Sequence, residues 1–479
     1  MSTATREHGP ADAGASAAAR ERVAALVRRA RAAQREYEGW TQEQVDLAVT
    51  AAGWAIVDPG HNRALAELAV GSTKLGNVAD KMQKNRRKTM GLLRDLAGAR
   101  SVGVIAEDPA RGLIEIARPV GVVGAVVPST NPAATPANMI INALKGRNAI
   151  ILSPSPKGVA TCALLVDYVH AELDRVGAPR DLVQRLEAPV TRDVTTELMR
   201  QVDLVVVTGS QNNVRGAYSS GTPAIGVGAG NVVVIVDDSA DLADAARKIR
   251  QSKTFDNATS CSSENAAVIL DTVYAATMRE LEREGGVMLD ASEKARLQAV
   301  MWPAGTLSPA VTAQSAGDIA RLAGLPRAAG AAFLMVEESG TGADHPFSGE
   351  KLSPVLAVYR ARDFEHAARI ADAVYAYEGA GHSIGIHTTD DAHVLHLGLA
   401  LPVCRVIVNQ AHCFANGGNF DNGLPFSLSM GCGTWGRNSI SENVNYRHFL
   451  NITRIARVIP AVEPSEDALF GSYRAGYGV

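Results

Sequence analysis

Short runs of valine and isoleucine alternate with helical patterns through the first half of the chain. Four of these runs are apolar at nearly every position: 121–127, 148–152, 204–207 and 232–236. Strands of this kind are buried on both faces, as in parallel sheets that are covered by helices. The segments 138–145 and 160–176 between them have helical patterns. The alternation predicts an α/β fold built on a parallel sheet with helices on both faces.

Polar and turn-forming residues follow three of these runs directly, over 128–131, 153–157 and 208–210. In an open parallel sheet, ligands bind at the carboxyl ends of the strands. We therefore expect these three loops to lie along one edge of the sheet and to line a binding site.

The length of 479 residues suits two or three domains. A second α/β segment is predicted to begin near residue 238, with helices over 241–253 and 274–284 and strands over 266–270 and 355–359. We expect a first domain over 19–237, to which 424–454 returns, and a second over 238–423. Residues 1–18, which are rich in small residues, are predicted to be a disordered leader.

The composition excludes several classes of function. With 46% apolar and 20% charged residues, the chain is an ordinary globular protein. Its formal net charge of -3, with no strongly basic half, gives no reason to expect nucleic acid or an anionic membrane as a partner. No run approaches the roughly 18 apolar residues that span a bilayer. The first residues contain no hydrophobic signal core, so we expect a cytoplasmic protein.

Five cysteines at irregular spacing do not suggest a disulfide framework, and no CxxC pair suggests a structural zinc site, so no metal is expected. Cys261 differs from the other four because it lies in a loop of small and polar residues, 255–265, just before an apolar strand. A substrate can approach a thiol in such a loop. The alternative is a buried, unreactive cysteine.

Six segments carry a resemblance to a known family. They read PVGVVGAVVPSTNPAAT (119–135), NAIILSPSPKG (148–158), YSSGTPAIGVGAGN (218–231), FDNATSCSSEN (255–265), EKLSPVLAVY (350–359) and GCGTWGRNSISENVN (431–445). With them, the chain resembles the CoA-acylating branch of the aldehyde dehydrogenase superfamily. The resemblance implies a Rossmann-like cofactor domain, an α/β catalytic domain and a small oligomerisation flap. It also implies a homodimer or homotetramer, with 108–120 and 455–479 as candidate contact segments.

The resemblance assigns the chemistry to Cys261 and Asn131. The Cys261 thiolate would attack the aldehyde carbonyl, and loss of hydride to the nicotinamide would leave a thioester. The Asn131 amide and the backbone N–H of Cys261 would donate hydrogen bonds to the developing oxyanion. An Asn-Pro pair is otherwise an ordinary turn.

A missing glutamate indicates which molecule accepts the acyl group. Water-using relatives carry a Glu-Leu-Gly-Gly element whose glutamate activates water. The matching segment here, 226–231, reads GVGAGN, so that Val227 occupies the position of the glutamate. Without that base, water is a poor nucleophile toward the thioester. The sequence therefore favours coenzyme A as the second substrate, although a valine there also suits an ordinary strand.

The resemblance also indicates a dinucleotide site. The turn after the strand at 204–207 would place a helix N-terminus near the pyrophosphate, and Glu350 would accept the ribose hydroxyls. The loop 153–157 contains no carboxylate, which suits NADP as well as NAD. The predicted cofactor-binding residues are Pro128, Ser129, Thr130, Ser153, Ser155, Lys157, Thr208, Gly209, Ser210, Gly228 and Glu350.

The polar segment 416–428 and the GCGTWGRNSISEN segment after it resemble acylating sulfoacetaldehyde dehydrogenases. The expected reaction is oxidation of sulfoacetaldehyde to sulfoacetyl-CoA, with Arg437 or His412 as candidate donors to the sulfonate. Three alternatives remain open: an acylating enzyme for acetaldehyde or propionaldehyde, a hydrolytic dehydrogenase, and a binding or structural protein that has lost the chemistry. Omission of CoA separates the hydrolytic enzyme from the acylating ones.

Overall fold

The computed structural model describes residues 10–478, with side chains from residue 17 onward. The helices are α1 (Pro10–Glu38), α2 (Gln42–Val57), α3 (Pro59–Thr73), α4 (Val78–Leu96), α5 (Ala134–Lys145), α6 (Val159–Arg175), α7 (Arg192–Gln201), α8 (Gln211–Tyr218), α9 (Leu242–Thr254), α10 (Asp271–Arg283), α11 (Ala291–Met301), α12 (Ala316–Leu322), α13 (Phe364–Tyr377), α14 (Asp391–Ala400), α15 (His412–Ala415) and α16 (Glu466–Tyr477). The strands are β1 (Gly103–Asp108), β2 (Leu113–Pro119), β3 (Val122–Val127), β4 (Ala149–Pro154), β5 (Val183–Arg185), β6 (Leu204–Val207), β7 (Ala224–Gly226), β8 (Val232–Val236), β9 (Glu264–Leu270), β10 (Gly286–Met288), β11 (Phe333–Glu337), β12 (Val355–Ala361), β13 (Ile384–His387), β14 (Val406–Val408) and β15 (Leu450–Ala456).

The first sheet has five parallel strands in the order β5-β4-β3-β6-β7. Every residue of β3, β4 and β6 is buried, because helices cover both faces of the sheet. These are three of the four apolar runs, and they end beside one another, with Val127 opposite Pro154 and Val126 opposite Val207. The predicted parallel sheet and its common edge are confirmed.

The second sheet has seven parallel strands in the order β10-β11-β12-β9-β8-β13-β14. It includes the fourth apolar run, β8, which pairs with β9 and β13. The predicted boundary near residue 238 is therefore one strand too late, since the second sheet already begins at Val232. The composition of a buried strand shows that it lies in a parallel sheet but does not show in which sheet it lies.

A third, antiparallel sheet has the order β1-β2-β15. Strand β2 is the charged strand that was predicted over 113–119, and β15 brings the chain back beside it, with Thr453 opposite Ile116. Half of the residues of β1 and most of those of β15 are exposed. The C-terminal helix α16 has no buried residue. The proposed role of 108–120 and 455–479 in subunit contacts remains a prediction.

Helix α1 corrects the prediction of a disordered leader over 1–18. Residues 1–9 lie outside the described part of the chain, whereas residues 10–18 are helical. This stretch is rich in alanine, the strongest helix former, and the helix continues into a buried stripe that includes Val23, Val27 and Ala30. Among the helices of residues 10–478, none is both long enough and apolar enough to cross a bilayer.

Candidate active site

A pocket of about 430 Å³ opens at the carboxyl ends of β3 and β6. It is lined by ten of the predicted site residues: Pro128, Ser129, Thr130, Asn131, Thr208, Gly209, Ser210, Gly228, Cys261 and Glu350. The loops after β3 and β6 thus meet the loop before β9, although these segments are far apart in the sequence. A larger cavity of about 870 Å³, between the C-terminal end of α4 and the three-stranded sheet, contains none of the predicted residues.

The loop after β4 does not reach this pocket. Ser153 is buried and its Oγ is hydrogen-bonded to Oγ1 of Thr195 at 2.9 Å. Ser155 is half-buried, and Lys157 is exposed. The three residues lie on the edge of the same sheet, one strand away from the pocket. Their assignment to the adenosine end of a cofactor remains a prediction.

The loop that carries Cys261 is strongly bent. Asp256, Asn257 and Ala258 have φ values of 50, 52 and 57°, which is the left-handed region that residues with a Cβ rarely occupy. The buried carboxylate of Asp256 holds the bend. It accepts hydrogen bonds from the backbone N–H of Asn77 at 3.0 Å and from Oγ1 of Thr259 at 2.7 Å.

Two lysines of α4 hold this loop from the other side. The Nζ atoms of Lys81 and Lys84 lie 3.0 and 2.6 Å from Oδ2 of Asp256. Burial raises the pKa of Asp256, but the two ammonium groups outweigh burial, so its pKa lies below the usual value. Burial also lowers the pKa of Lys81 to about 8, and the neighbouring Lys84 acts in the same direction. The three groups therefore form a buried, hydrogen-bonded ionic cluster.

The same two lysines hold the loop that carries Asn131. Lys81 donates to the carbonyl oxygen of Thr130 at 3.0 Å, and Lys84 donates to Oδ1 of Asn131 at 2.9 Å. Because the amide oxygen of Asn131 is occupied, its NH₂ group remains to donate to a ligand in the pocket. This is the orientation that an oxyanion donor needs.

The Cys261 thiol is only partly exposed, and burial raises its pKa to about 12, with the negative charge of Glu350 acting in the same direction. Burial, together with the charge of Glu378, raises the pKa of Glu350 to about 8. The Oε1 atom of Glu350 is buried without a hydrogen-bond partner in the described part of the chain. The thiol is therefore protonated in the ligand-free pocket, and Glu350 has an oxygen free to accept a hydrogen bond.

The segment 227–230 packs directly against Cys261. A Cβ added at Gly230 would lie 2.3 Å from the carbonyl oxygen of Cys261, and one at Gly228 would lie 2.8 Å from Sγ of Cys432. Val227 lines the pocket and is 7% exposed. The carboxylates among the lining residues are those of Glu350 and Glu378. The side chain at position 227 thus adds no base to the pocket.

Several lining residues were not predicted from the sequence. Helix α4 contributes Lys84, Arg87 and Lys88, and segments near the C-terminus contribute Cys413, Gly417, Ser427, Leu428 and Met430. A signal was present, since Lys81, Lys84 and Lys88 are spaced so that they lie on one helical face. A row of lysines on a polar helix is, however, usually a solvated surface.

The two suggested donors to a sulfonate do not line the pocket. Arg437 is exposed, and His412 is buried with its Nδ1 3.0 Å from the carbonyl oxygen of Ser262. Both were chosen because they are near polar segments in the sequence, which does not show where a side chain points.

The fold and the pocket together define a class of protein. Two parallel α/β units join at a cleft that contains a partly exposed cysteine and an asparagine with a free amide NH₂. The chain belongs to the aldehyde dehydrogenase family, whose pattern matches residues 9–426. The predicted fold class and the predicted family are confirmed, and the protein is an oxidoreductase that acts on aldehyde groups.

Within the family, the chain is 63% identical to sulfoacetaldehyde dehydrogenase (acylating) of Cupriavidus necator, over 96% of this chain and 94% of that one. It is 41% identical to the protein of the same description from Bilophila wadsworthia, over 94% of this chain and 98% of that one. Its structure is similar to that of an acetylating aldehyde dehydrogenase from Geobacillus thermoglucosidasius, with a TM-score of 0.90 and 34% identity, over 94% and 99% of the two chains.

Proposed function

We propose that this enzyme oxidises sulfoacetaldehyde and transfers the acyl group to coenzyme A. The observation that carries the acylating part of the proposal is the valine at position 227, because water-using relatives have at this position the glutamate that activates water. The choice of aldehyde is supported by the 63% identity to the relative from Cupriavidus necator.

In the first step, the Cys261 sulfur forms a bond to the carbonyl carbon and loses its proton, and the carbonyl oxygen becomes an alkoxide. The NH₂ group of Asn131 and the backbone N–H of Cys261 donate to this oxygen. Lys84 is a positioning residue, because it binds the amide oxygen of Asn131 and, through Asp256, the loop of Cys261.

Further residues of the pocket suit a nicotinamide dinucleotide, which supplies the hydride acceptor when it is bound. Thr208, Gly209 and Ser210 precede helix α8, whose first N–H groups suit a pyrophosphate. The unpartnered Oε1 of Glu350 suits a ribose hydroxyl. We propose that NADP is accepted as well as NAD, because Ser153, Ser155 and Lys157 present no carboxylate to a 2′-phosphate.

Loss of hydride from the reacting carbon to the bound dinucleotide would leave a thioester on Cys261. In the second step, the thiol of coenzyme A attacks the thioester carbon. The new S–C bond forms, the bond to Cys261 breaks, and the proton of the coenzyme A thiol restores the Cys261 thiol. One turnover thus releases one proton to solvent, the one that Cys261 loses in the first step. We further propose that the enzyme works in the cytoplasm, because its five cysteines are all unpaired. We also propose that it forms a homodimer or homotetramer, as the family resemblance implies.

The test is an assay of NAD(P)H formation from sulfoacetaldehyde with and without coenzyme A. We expect sustained turnover only with coenzyme A, and a sulfoacetyl thioester as the product. Equal rates without it would make the enzyme hydrolytic. A higher kcat/KM with acetaldehyde than with sulfoacetaldehyde would overturn the choice of aldehyde but not the acyl transfer.

A further inference from the structure

Helix α4 brings three cationic side chains to one wall of the pocket, and two of them have no acidic partner. Lys84 is paired with Asp256, as described above. Arg87 and Lys88, one turn further along the helix, form no ion pair with any residue in 17–478. A buried cation without an anion is unfavourable, so an anionic ligand would stabilise these groups.

Lys88 is 7% exposed, and its Nζ donates to the carbonyl oxygen of Gly417 at 2.7 Å. The Nζ also lies 5.6 Å from the centre of the Phe426 ring. An ammonium group has three N–H donors, so this contact leaves two of them free for a ligand. Lys88 lines the same pocket as Cys261 and Asn131.

Arg87 is half-buried and precedes Lys88 in the helix. Its guanidinium is fixed through one nitrogen, Nη2. Its Nη2 lies within hydrogen-bonding distance of the carbonyl oxygen of Phe414 (2.7 Å), that of Gly418 (3.2 Å) and Oδ1 of Asn419 (2.6 Å). The guanidinium also lies over the rings of Phe414 and Phe426. Within the described chain, its Nη1 and Nε atoms donate no hydrogen bond. Asp421 is the acidic residue that affects its titration, but that carboxylate is exposed and forms no ion pair with Arg87.

We propose that Arg87 and Lys88 form an anion subsite that binds the sulfonate of the aldehyde while its carbonyl carbon lies at Cys261. The inference rests on the proposed function and names the residues that select the substrate. Two carbon atoms separate the reacting oxygen from the sulfonate sulfur in sulfoacetaldehyde, so both ends must be bound within one small pocket. The subsite lies in the same pocket as Cys261 and Asn131, as a short substrate requires. A sulfonate has three oxygens, which suit the free donors of an ammonium and a guanidinium.

The test compares the Lys88→Met and Arg87→Met variants with the wild-type enzyme. Each is assayed with sulfoacetaldehyde and with propionaldehyde, which has a similar length but no charge. For sulfoacetaldehyde we expect kcat/KM to fall by about 10- to 100-fold in each variant, mainly through KM, as for loss of a hydrogen bond to a charged group. For propionaldehyde we expect kcat/KM to stay the same or to rise. Arg87→Lys, which keeps the charge, should recover part of the loss.

Arg86→Met provides the matched control, because Arg86 is exposed on the same helix next to Arg87. We expect it to retain wild-type values with both aldehydes. Equal losses with both aldehydes in the Lys88 and Arg87 variants would show that these side chains are structural and would overturn the subsite. Unchanged kcat/KM for sulfoacetaldehyde in both variants would overturn it as well.

A binding measurement separates the subsite from catalysis. Ethanesulfonate, which has no aldehyde, should raise the unfolding temperature of the wild-type enzyme and of Arg86→Met but not that of Lys88→Met. Equal protection of all three proteins would place the anion elsewhere and overturn the subsite. The kcat/KM values of the wild-type enzyme for the two aldehydes are measured before any variant is made. A strong preference for propionaldehyde would refute the proposed substrate rather than the subsite.

Discussion

The Nζ of Lys84 lies 2.9 Å from Oδ1 of Asn131 and 2.6 Å from Oδ2 of Asp256. One ammonium group thus connects the proposed oxyanion donor to the bend that carries Cys261, the proposed nucleophile. The spacing between Asn131 and Cys261 therefore depends on a side chain that need not touch the substrate.

Replacing Lys84 with methionine should lower both stability and turnover. Asp256 would keep only Lys81 as a cationic partner, and loss of one member of a buried ionic cluster costs about 3–5 kcal/mol. Urea unfolding measures this loss. We also expect kcat to fall by about 100-fold or more, because the amide of Asn131 is no longer oriented. A stable variant with normal kcat would contradict the positioning role.

Cys261→Ala should abolish turnover and leave binding of the dinucleotide intact, because the variant lacks only the atom that forms the thioester. Cofactor titration by fluorescence checks the binding. Cys404→Ala is the control, since Cys404 is a partly exposed thiol outside the pocket. Any sustained NAD(P)H formation by Cys261→Ala would refute the mechanism.

Val227→Glu should add the missing base and produce turnover without coenzyme A. A general base contributes about 100-fold or more to the attack of water. Val227→Gln has the same shape but cannot accept the proton, so it should not gain this activity. The measurement is NAD(P)H formation in the absence of coenzyme A. If the glutamine variant gained as much as the glutamate variant, the effect would be one of water access rather than of base catalysis.

Glu350→Gln should make Cys261 more reactive in the ligand-free enzyme. The negative charge of Glu350 contributes to the raised pKa of the thiol, so its removal lowers that pKa and increases the thiolate fraction at a given pH. Alkylation by iodoacetamide at pH 8.5 to 9.5, where Glu350 is charged in the wild type, should therefore be faster. Slower alkylation would show that Glu350 acts on the thiol as a base. The variant should also bind the dinucleotide more weakly.

The affinity for sulfoacetaldehyde should fall as the pH rises above 7. Burial lowers the pKa of Lys88 to about 7, and the positive charges of Arg87 and Lys84 act in the same direction. Lys88 binds an anion when protonated, so KM should be lowest below this pKa and should rise above it. Lys88→Arg should remove most of the dependence, because arginine stays charged. If the KM of the wild-type enzyme did not change from pH 6 to 9, Lys88 would not bind the anion through its charge.

Much of the framework was predictable because it depends on local patterns. The strands β3, β4 and β6 are apolar at nearly every position, and residues 128–131 and 208–210 must lie at their carboxyl ends. Cys261 stood out through the small polar residues around it. These features are set by neighbours in the sequence, so the sequence alone showed them.

The role of α4 could not be predicted in this way. Lys81, Lys84 and Lys88 suggest a solvated surface because lysines are seldom buried. Lys81 and Lys84 can be buried here because both form an ion pair with Asp256, which lies far along the chain. The position of β8 in the second sheet likewise depends on its pairing partners, β9 and β13.

Helix α4 also has a consequence for how such enzymes diverge. Its first turns, with Lys81 and Lys84, hold the loops of Asn131 and Cys261, while the next turn brings Arg87 and Lys88 to the wall of the same pocket. Selection can therefore act on the two turns separately. If Arg87 and Lys88 select the substrate as proposed, changes in two neighbouring codons would alter which aldehydes a descendant accepts and would leave Cys261 and Asn131 in place.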